Sequence, residues 1–108
     1  MIIIDRQTDK LIQATISDKD GPIDLTDTSL TWRFWKDGEV VIEKTETDGI
    51  EITNASEGKI EMELTNVDTD LARGRYEYEL LIEDVENNRY LPKKGTLMIE
   101  TNKSAKED

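Results

Sequence analysis

Hydrophobic and polar residues alternate along most of this chain, in short runs that end at Gly, Asp, Asn or Pro. Such alternation gives a β-strand one apolar and one polar face, and no segment keeps a helical period for ten residues. Seven or eight short strands in about 100 residues are typical of an Ig-like antiparallel β-sandwich with Greek-key connections. The predicted fold class is therefore all-β, with strands at residues 11–17, 28–36, 40–45, 50–52, 59–65, 75–83, 89–91 and 95–101.

The run at residues 28–36 is the strongest predicted strand. Trp32 and Phe34 fall on one face, which we expect to be buried because it carries the largest aromatic side chains. Arg33 and Trp35 fall on the opposite face, where a large aromatic ring is available to a partner. The sequence therefore predicts a contact surface that includes Arg33 and Trp35.

The residues between the predicted strands indicate how the strands connect. Asp37-Gly38 lies between two alternating runs and predicts a two-residue hairpin turn. Glu43 and Lys44 are expected to mark the point where the following strand becomes exposed to solvent. Residues 68–73 are the one plausible helical turn, with Leu71 as its apolar anchor.

The chain has 108 residues, which is the usual size of one domain. We expect a single β-sandwich domain over residues 1–101. Residues 102–108 contain no large apolar side chain and are predicted to be a disordered tail. The apolar start at residues 1–4 is much shorter than a signal peptide, and no stretch approaches a membrane span.

Charge narrows the candidate partners. The 14 Lys and Arg residues against 25 Asp and Glu residues give a net charge of −11. This charge repels nucleic-acid phosphates and anionic lipid, so neither is an expected partner. The acidic residues are spread along the predicted strands rather than set in a phosphate-like row, which disfavours mimicry of DNA.

The residue types that most enzymes need are missing. The chain has no His and no Cys, which removes the commonest general base, the commonest zinc ligand and the thiolate nucleophile. It has no glycine-rich phosphate loop. Neighbouring carboxylates such as Glu61 and Glu63, or Glu77 and Glu79, are expected on solvated faces where nothing would raise a pKa. We therefore predict that the protein is not an enzyme and needs no cofactor.

Calcium is the one metal that the sequence leaves open. Asp18, Asp20, Asp24 and Asp27 cluster around Gly21, and loops with this content can coordinate Ca²⁺. The complete calcium-loop register is absent, and ordinary turn chemistry explains the same residues.

A tyrosine-corner motif is present between two predicted strands. Leu71, Gly74 and Tyr76 form the pattern Leu-x-x-Gly-x-Tyr, in which a Tyr hydroxyl bonds to nearby backbone at the crossover of a Greek-key sandwich. We interpret Tyr76 as structural. Tyr90 is a further aromatic candidate for partner contact.

Several segments together resemble the N-terminal domain of phage upper-baseplate proteins. They are Gly21-Pro22-Ile23-Asp24-Leu25-Thr26, the run at residues 29–34, Lys36-Asp37-Gly38, Gly58-Lys59-Ile60 and Gly74-x-Tyr76-x-Tyr78. The resemblance spans residues 5–100. It implies a β-sandwich that follows a short N-terminal strand and docks onto a tail baseplate.

The expected function is a non-enzymatic structural module of a phage particle, in the baseplate, tail or another accessory position. Its expected partners are other phage structural proteins and further copies of itself, with contacts at sheet edges near the N-terminal strand. It would be made in the host bacterial cytoplasm and reside in the virion. The alternative is a carbohydrate-binding or adhesin-type Ig-like module, in which Trp35 and Tyr90 stack on sugar rings.

Overall fold

The computed structural model describes residues 1–101, so the tail predicted at residues 102–108 lies outside the described residues. The described part contains no helix, and hence none long and apolar enough to cross a membrane. Ten strands, β1 to β10, occupy Ile2–Asp5, Lys10–Thr15, Ser17–Asp18, Gly21–Pro22, Ser29–Lys36, Glu39–Thr45, Ile50–Asn54, Lys59–Leu64, Gly74–Glu83 and Arg89–Glu100.

Eight of these strands form two sheets that pack face to face. The larger sheet has the order β1-β10-β9-β5-β6 and the smaller has the order β2-β8-β7, while β3 and β4 pair only with each other. Strand β1 is parallel to β10, and the other paired strands are antiparallel. The chain crosses between the two sheets after β1, between β2 and β5, after β6 and after β8, which is a Greek-key arrangement. The predicted all-β, Ig-like sandwich is confirmed.

An aromatic cluster on the central strands lies at the centre of the core. The ring centroids of Trp32 and Phe34 are 6.2 Å apart, and Tyr78 lies 5.3 Å from Trp32 and 5.7 Å from Phe34. Phe34 and Tyr78 are direct cross-strand partners in the β5–β9 pair. Aromatic pairs at these distances contribute about 0.5–1.5 kcal/mol beyond their buried area. The cluster therefore favours this one register between β5 and β9.

The predicted hairpin turn after β5 is present. Asp37 and Gly38 have positive φ values of 51° and 82°. Positive φ at both central residues defines a type I′ turn, whose twist matches that of the flanking strands. The turn leads directly into β6, as the sequence pattern indicates.

Three predicted segments differ from the structure. The strand predicted at residues 11–17 is divided, because β2 ends at Thr15 and Ser17 begins β3. The runs at residues 89–91 and 95–101 belong to one strand, β10, whose register with β9 shifts between Tyr90 and Lys93, next to Pro92. Because Pro cannot donate to a ladder, it is accommodated at this irregularity.

The predicted turn at residues 68–73 begins earlier. Thr69 N–H donates to the Thr65 carbonyl at 3.0 Å, and the Thr65 N–H donates to the Asp68 carboxylate at 2.8 Å. Asp68 N–H in turn donates to the Thr65 hydroxyl at 3.2 Å. These reciprocal bonds resemble a capping box and place the start of the turn at Thr65.

Lys44 was expected to be exposed, and that expectation is wrong. Its side chain points inward with Ile42 and is 9% exposed, and its Nζ lies 2.7 Å from Oδ2 of Asp68. The lysine stem crosses Gly49, where an added Cβ would lie 2.6 Å from Lys44 Cδ and where φ is +100°. The alternation of buried and exposed side chains along β6 therefore includes Lys44, although this residue is charged. Its ion pair with Asp68 compensates the cost of burying the charge.

The Lys44 ammonium changes the titration of Asp68. Desolvation by burial is the largest single influence and raises the pKa of this carboxyl, but the Lys44 ammonium and the Thr65 N–H together outweigh it. The net result is a pKa below the ordinary value of 3.8. Asp68 therefore stays ionised in the folded protein at a pH where an unfolded chain begins to protonate it.

We predict that Asp68→Asn lowers the free energy of unfolding by about 2 kcal/mol at pH 7, between the values for exposed and fully buried pairs. Because the pKa of Asp68 is lower in the folded state, this stabilisation is fully present above the ordinary aspartate pKa. It is lost as the pH falls from that value through the lower pKa of the folded state. Urea unfolding of both proteins between pH 7 and pH 3 should show the difference shrinking.

The control is Glu43→Gln, which removes the carboxylate of the exposed Arg33–Glu43 pair. We expect its effect to stay below about 0.5 kcal/mol. Equal losses for the two variants, or a difference for Asp68→Asn that does not change with pH, would contradict the assignment.

Candidate functional site

The outer face of the five-stranded sheet carries two of the three residues predicted to contact a partner. Arg33 and Trp35 lie on this face, two residues apart on β5, and both are half-buried. Trp35 is the cross-strand partner of Glu77 on β9 and of Val40 on β6. A shallow cleft beside the indole is lined by Trp35, Lys36, Asp37, Gly38, Arg75, Glu77 and Glu79.

A row of charged residues crosses the same face next to Trp35. Lys94, Glu79, Arg33 and Glu43 are successive cross-strand neighbours from β10 to β6. The Arg33 Nε donates to Oε2 of Glu43 at 2.8 Å. Exposed ion pairs contribute little to stability, so this row is a charge-balanced surface rather than a support of the fold.

Tyr90 lies at a different place from Trp35. It pairs with Ile82 near the end of β9, and Ile82 belongs to the inner face, whereas Trp35 pairs with Glu77 on the outer face. Five residues along a strand correspond to about 17 Å. The structure therefore does not bring Trp35 and Tyr90 together on one platform.

The surroundings of Tyr90 form an open groove at one end of the sandwich. The Tyr90 hydroxyl donates to Oδ2 of Asp84 at 3.3 Å, and the negative charge of Asp84 raises the pKa of this phenol. Tyr90 and Leu91 are exposed, and the groove beside them has a mixed apolar and acidic lining. The lining residues are Asp18, Ile23, Asp24, Thr28, Ile82, Asp84, Arg89, Tyr90, Leu91 and Pro92.

Tyr76 holds the crossover from β8 to β9. Its ring is buried, its hydroxyl donates to the Ala72 carbonyl at 2.6 Å, and the Lys36 ammonium lies 4.7 Å from the ring centroid. Burial, followed by the charge of Asp37, raises the pKa of the phenol. Leu71 is partly buried against the core beside this crossover, and Gly74 begins β9. The motif thus lies in the core and its connection, and Lys36 joins it to the cleft beside Trp35.

The acidic loop residues near Gly21 serve the turns of their own loop. Asp18 Oδ1 accepts the Asp20 N–H at 2.8 Å, and Asp24 Oδ1 accepts both the N–H and the hydroxyl of Thr26. The bonds from Thr26 lower the pKa of Asp24. Within residues 1–101, no three His, Cys, Asp or Glu side chains converge to hold a metal ion.

The two free edges of the five-stranded sheet are built differently. Strand β6 has a bulge, because Phe34 pairs with Ile42 and Trp35 with Val40, which leaves Val41 unpaired. Its Lys44 points inward. Bulges and inward charges on an edge strand are two of the devices that prevent another strand from pairing with it.

Strand β1, the opposite edge, has neither device. Its register with β10 is continuous, and Ile2 and Ile4 point inward while Ile3 is 55% exposed. No described strand pairs with its outer side. In the smaller sheet the register of β7 is irregular, whereas β2 begins with Lys10, pairs continuously with β8 and leaves Leu11 exposed. Alternation along the sequence does not reveal β1, because four residues are too few to show a period.

Comparison with known proteins supports the fold. The structure is similar to CopC from Methylosinus trichosporium OB3b, with a TM-score of 0.55 and 12% identity over 97% of this chain and 88% of that one. It is also similar to murine CRIg, with a TM-score of 0.46 and 11% identity over 94% of this chain and 92% of that one. No family model and no curated protein matches the sequence.

The chain has an Ig-like, CopC-like β-sandwich fold. At 12% identity the likeness to CopC concerns the fold alone, and function has to be argued from the surfaces.

We predict that Tyr76→Phe lowers the free energy of unfolding by about 1 kcal/mol, because it removes the hydrogen bond to the Ala72 carbonyl while keeping the ring. Tyr90→Phe is the matched control. Its hydroxyl is on an exposed residue, so we expect a change within about 0.5 kcal/mol. Denaturant unfolding measures both, and a loss at Tyr90 equal to that at Tyr76 would contradict a structural role specific to Tyr76.

Proposed function

We propose that this chain is a non-enzymatic assembly module of a phage particle, which binds neighbouring virion proteins in the baseplate, tail or another accessory position. The observation that carries the proposal is the outer edge of β1, which lacks the bulge and the inward charge of the β6 edge on the opposite side of the sheet. A soluble monomer gains nothing from an open strand edge, whereas a component of an assembly can extend a neighbour's sheet with it.

Two further observations support this function. The sequence segments that resemble the upper-baseplate domain include the turns around Gly21 and Gly38, and both turns lie at the loops of the Ig-like sandwich that the resemblance implies. The net charge of −11 favours contact with basic protein surfaces over nucleic acid or anionic lipid. Other virion proteins are therefore the proposed partners, and the virion is the proposed location.

The carbohydrate-binding alternative is less well supported. A sugar platform made of Trp35 and Tyr90 would need both rings on one face, and the two residues lie on opposite faces of the sheet at different heights along β9. Trp35 alone remains beside a shallow, charged cleft.

We predict that the protein comigrates with intact phage particles through a density gradient, as detected by an antibody against this domain. Ile3→Lys should reduce the amount in the particles, because a charged residue on the outer face of β1 opposes strand pairing. Val41→Lys is the matched control, since it changes an exposed apolar residue on the β6 edge, and it should leave incorporation unchanged. Wild-type protein found only in the soluble fraction would overturn the proposed function.

A further inference from the structure

The backbone of β1 presents a defined set of unpaired groups. The Arg6 N–H donates to the Glu100 carbonyl at 2.9 Å. Alternate residues of a parallel strand bond to the same neighbour, so Ile2, Ile4 and Arg6 face β10. The N–H and C=O groups of Ile3 and Asp5 therefore point away from the sheet. The Asp5 carbonyl already accepts the Thr8 hydroxyl at 2.6 Å, which leaves both groups of Ile3 and the N–H of Asp5 for an incoming strand.

The side chains beside this edge combine an apolar and an acidic position. Ile3 is exposed on the outer face, and Asp5, two residues further on, is the cross-strand partner of Glu100. Both carboxylates are exposed, and neither forms an ion pair with a cation of residues 1–101. Like charges directly opposite each other destabilise a strand pair, and a cation placed between them reverses that effect.

We propose that the outer edge of β1 binds an extended strand of a different protein, with a Lys or Arg of that strand beside Asp5 and one strand away from Glu100, and an apolar residue beside Ile3. This rests on the proposed function and specifies the chemistry of its partner. Any added strand would form main-chain hydrogen bonds to Ile3 and Asp5, and these bonds supply affinity without selectivity. The alternate side chains supply the selectivity.

Charge separates a different protein from a second copy as the occupant. Each copy carries a net charge of −11, and a β1–β1 pair would bring two Asp5 and two Glu100 carboxylates to one short edge. Four residues also bury much less than the roughly 1,200–2,000 Å² of a stable interface. A cationic strand removes the charge objection. It buries the same small area, but its modest affinity for one copy is multiplied when many copies bind together in a particle.

The test uses the 108-residue protein and short capped peptides in which Lys and Val stand two residues apart among Thr residues, made in both orders. Control peptides carry Glu in place of Lys. Titration followed by ¹H–¹⁵N NMR should move the amides of Ile3 and Asp5 most. The Lys peptides should bind about tenfold more tightly than the Glu peptides, as expected for a charged pair beside strand hydrogen bonds.

Two variants separate the backbone and charge contributions. Ile3→Pro removes an edge-facing N–H without touching a bond to β10, so it should weaken the Lys peptide about tenfold. Asp5→Asn combined with Glu100→Gln keeps the edge backbone and should abolish the preference for Lys over Glu. The double variant keeps the test decisive if Ile3→Pro fails to fold. Equal binding of Lys and Glu peptides to the wild-type protein, or shifts centred on β6, would overturn the proposal.

A second copy as the occupant has its own signature. Sedimentation equilibrium should find a monomer, and a concentration-dependent dimer abolished by Ile3→Lys would overturn the proposal.

Failure of this proposal is distinguishable from failure of the proposed function. Suppose that the protein is found in particles, that Asp5→Asn with Glu100→Gln leaves its incorporation unchanged, and that the peptides show no Lys preference. The proposed partner chemistry is then wrong, and the assembly function stands. If the Lys peptide binds β1 but no particle contains the protein, the partner chemistry stands and the assembly function is wrong.

Discussion

The pairing of β5 with β9 is the constraint on which the rest of the structure depends. Tyr78 on β9 contacts both Trp32 and Phe34 on β5 in the register that these two central strands hold, and that register buries the inner face. A shift by one residue would expose the cluster and bury Arg33 and Glu77 instead. The same alternation therefore fixes the core and the composition of the outer surface.

The core also determines how the two ends of the larger sheet are formed. On one side, β6 can bury its inward Lys44 only because Asp68 reaches it from the turn after β8. On the other side, β1 contributes Ile4 to the core and leaves its outer edge uncovered within the described residues. The Lys44–Asp68 ion pair lets β6 carry an inward charge, which disfavours pairing of this edge with another strand. Within the described residues β1 carries no inward charge. This asymmetry distinguishes the two edges of the larger sheet.

Much of the fold was predictable from local pattern. The strand at residues 28–36 and the Asp37-Gly38 turn appear nearly where the alternation and turn chemistry place them, because both depend on neighbouring residues alone. The alternation pattern misses β1, which only the resemblance implies, because this strand is short and gains its stability from β10, almost 100 residues later in the chain. The exposure of Lys44 was misjudged because its counterion, Asp68, lies on another connection.

The candidate surfaces, too, were only partly predictable from local sequence pattern. Alternation alone places Arg33 and Trp35 opposite the buried aromatic residues. It does not reveal that Tyr90 lies at another level of the sheet, because that follows from the β9–β10 register and its irregularity. The paired carboxylates of Asp5 and Glu100 were likewise invisible, since only the parallel pairing of β1 with β10 makes them neighbours.

Amide hydrogen exchange along β1 in the isolated protein tests the central claim most directly. If the outer edge is open, the amides of Ile4 and Arg6 exchange slowly because they donate to β10, while those of Ile3 and Asp5 exchange rapidly. Slow exchange at Ile3 would mean that this edge is already paired. Rapid exchange at all four amides would mean that β1 does not belong to the sheet. Either result would contradict the account of β1 as an ordered, unguarded docking edge.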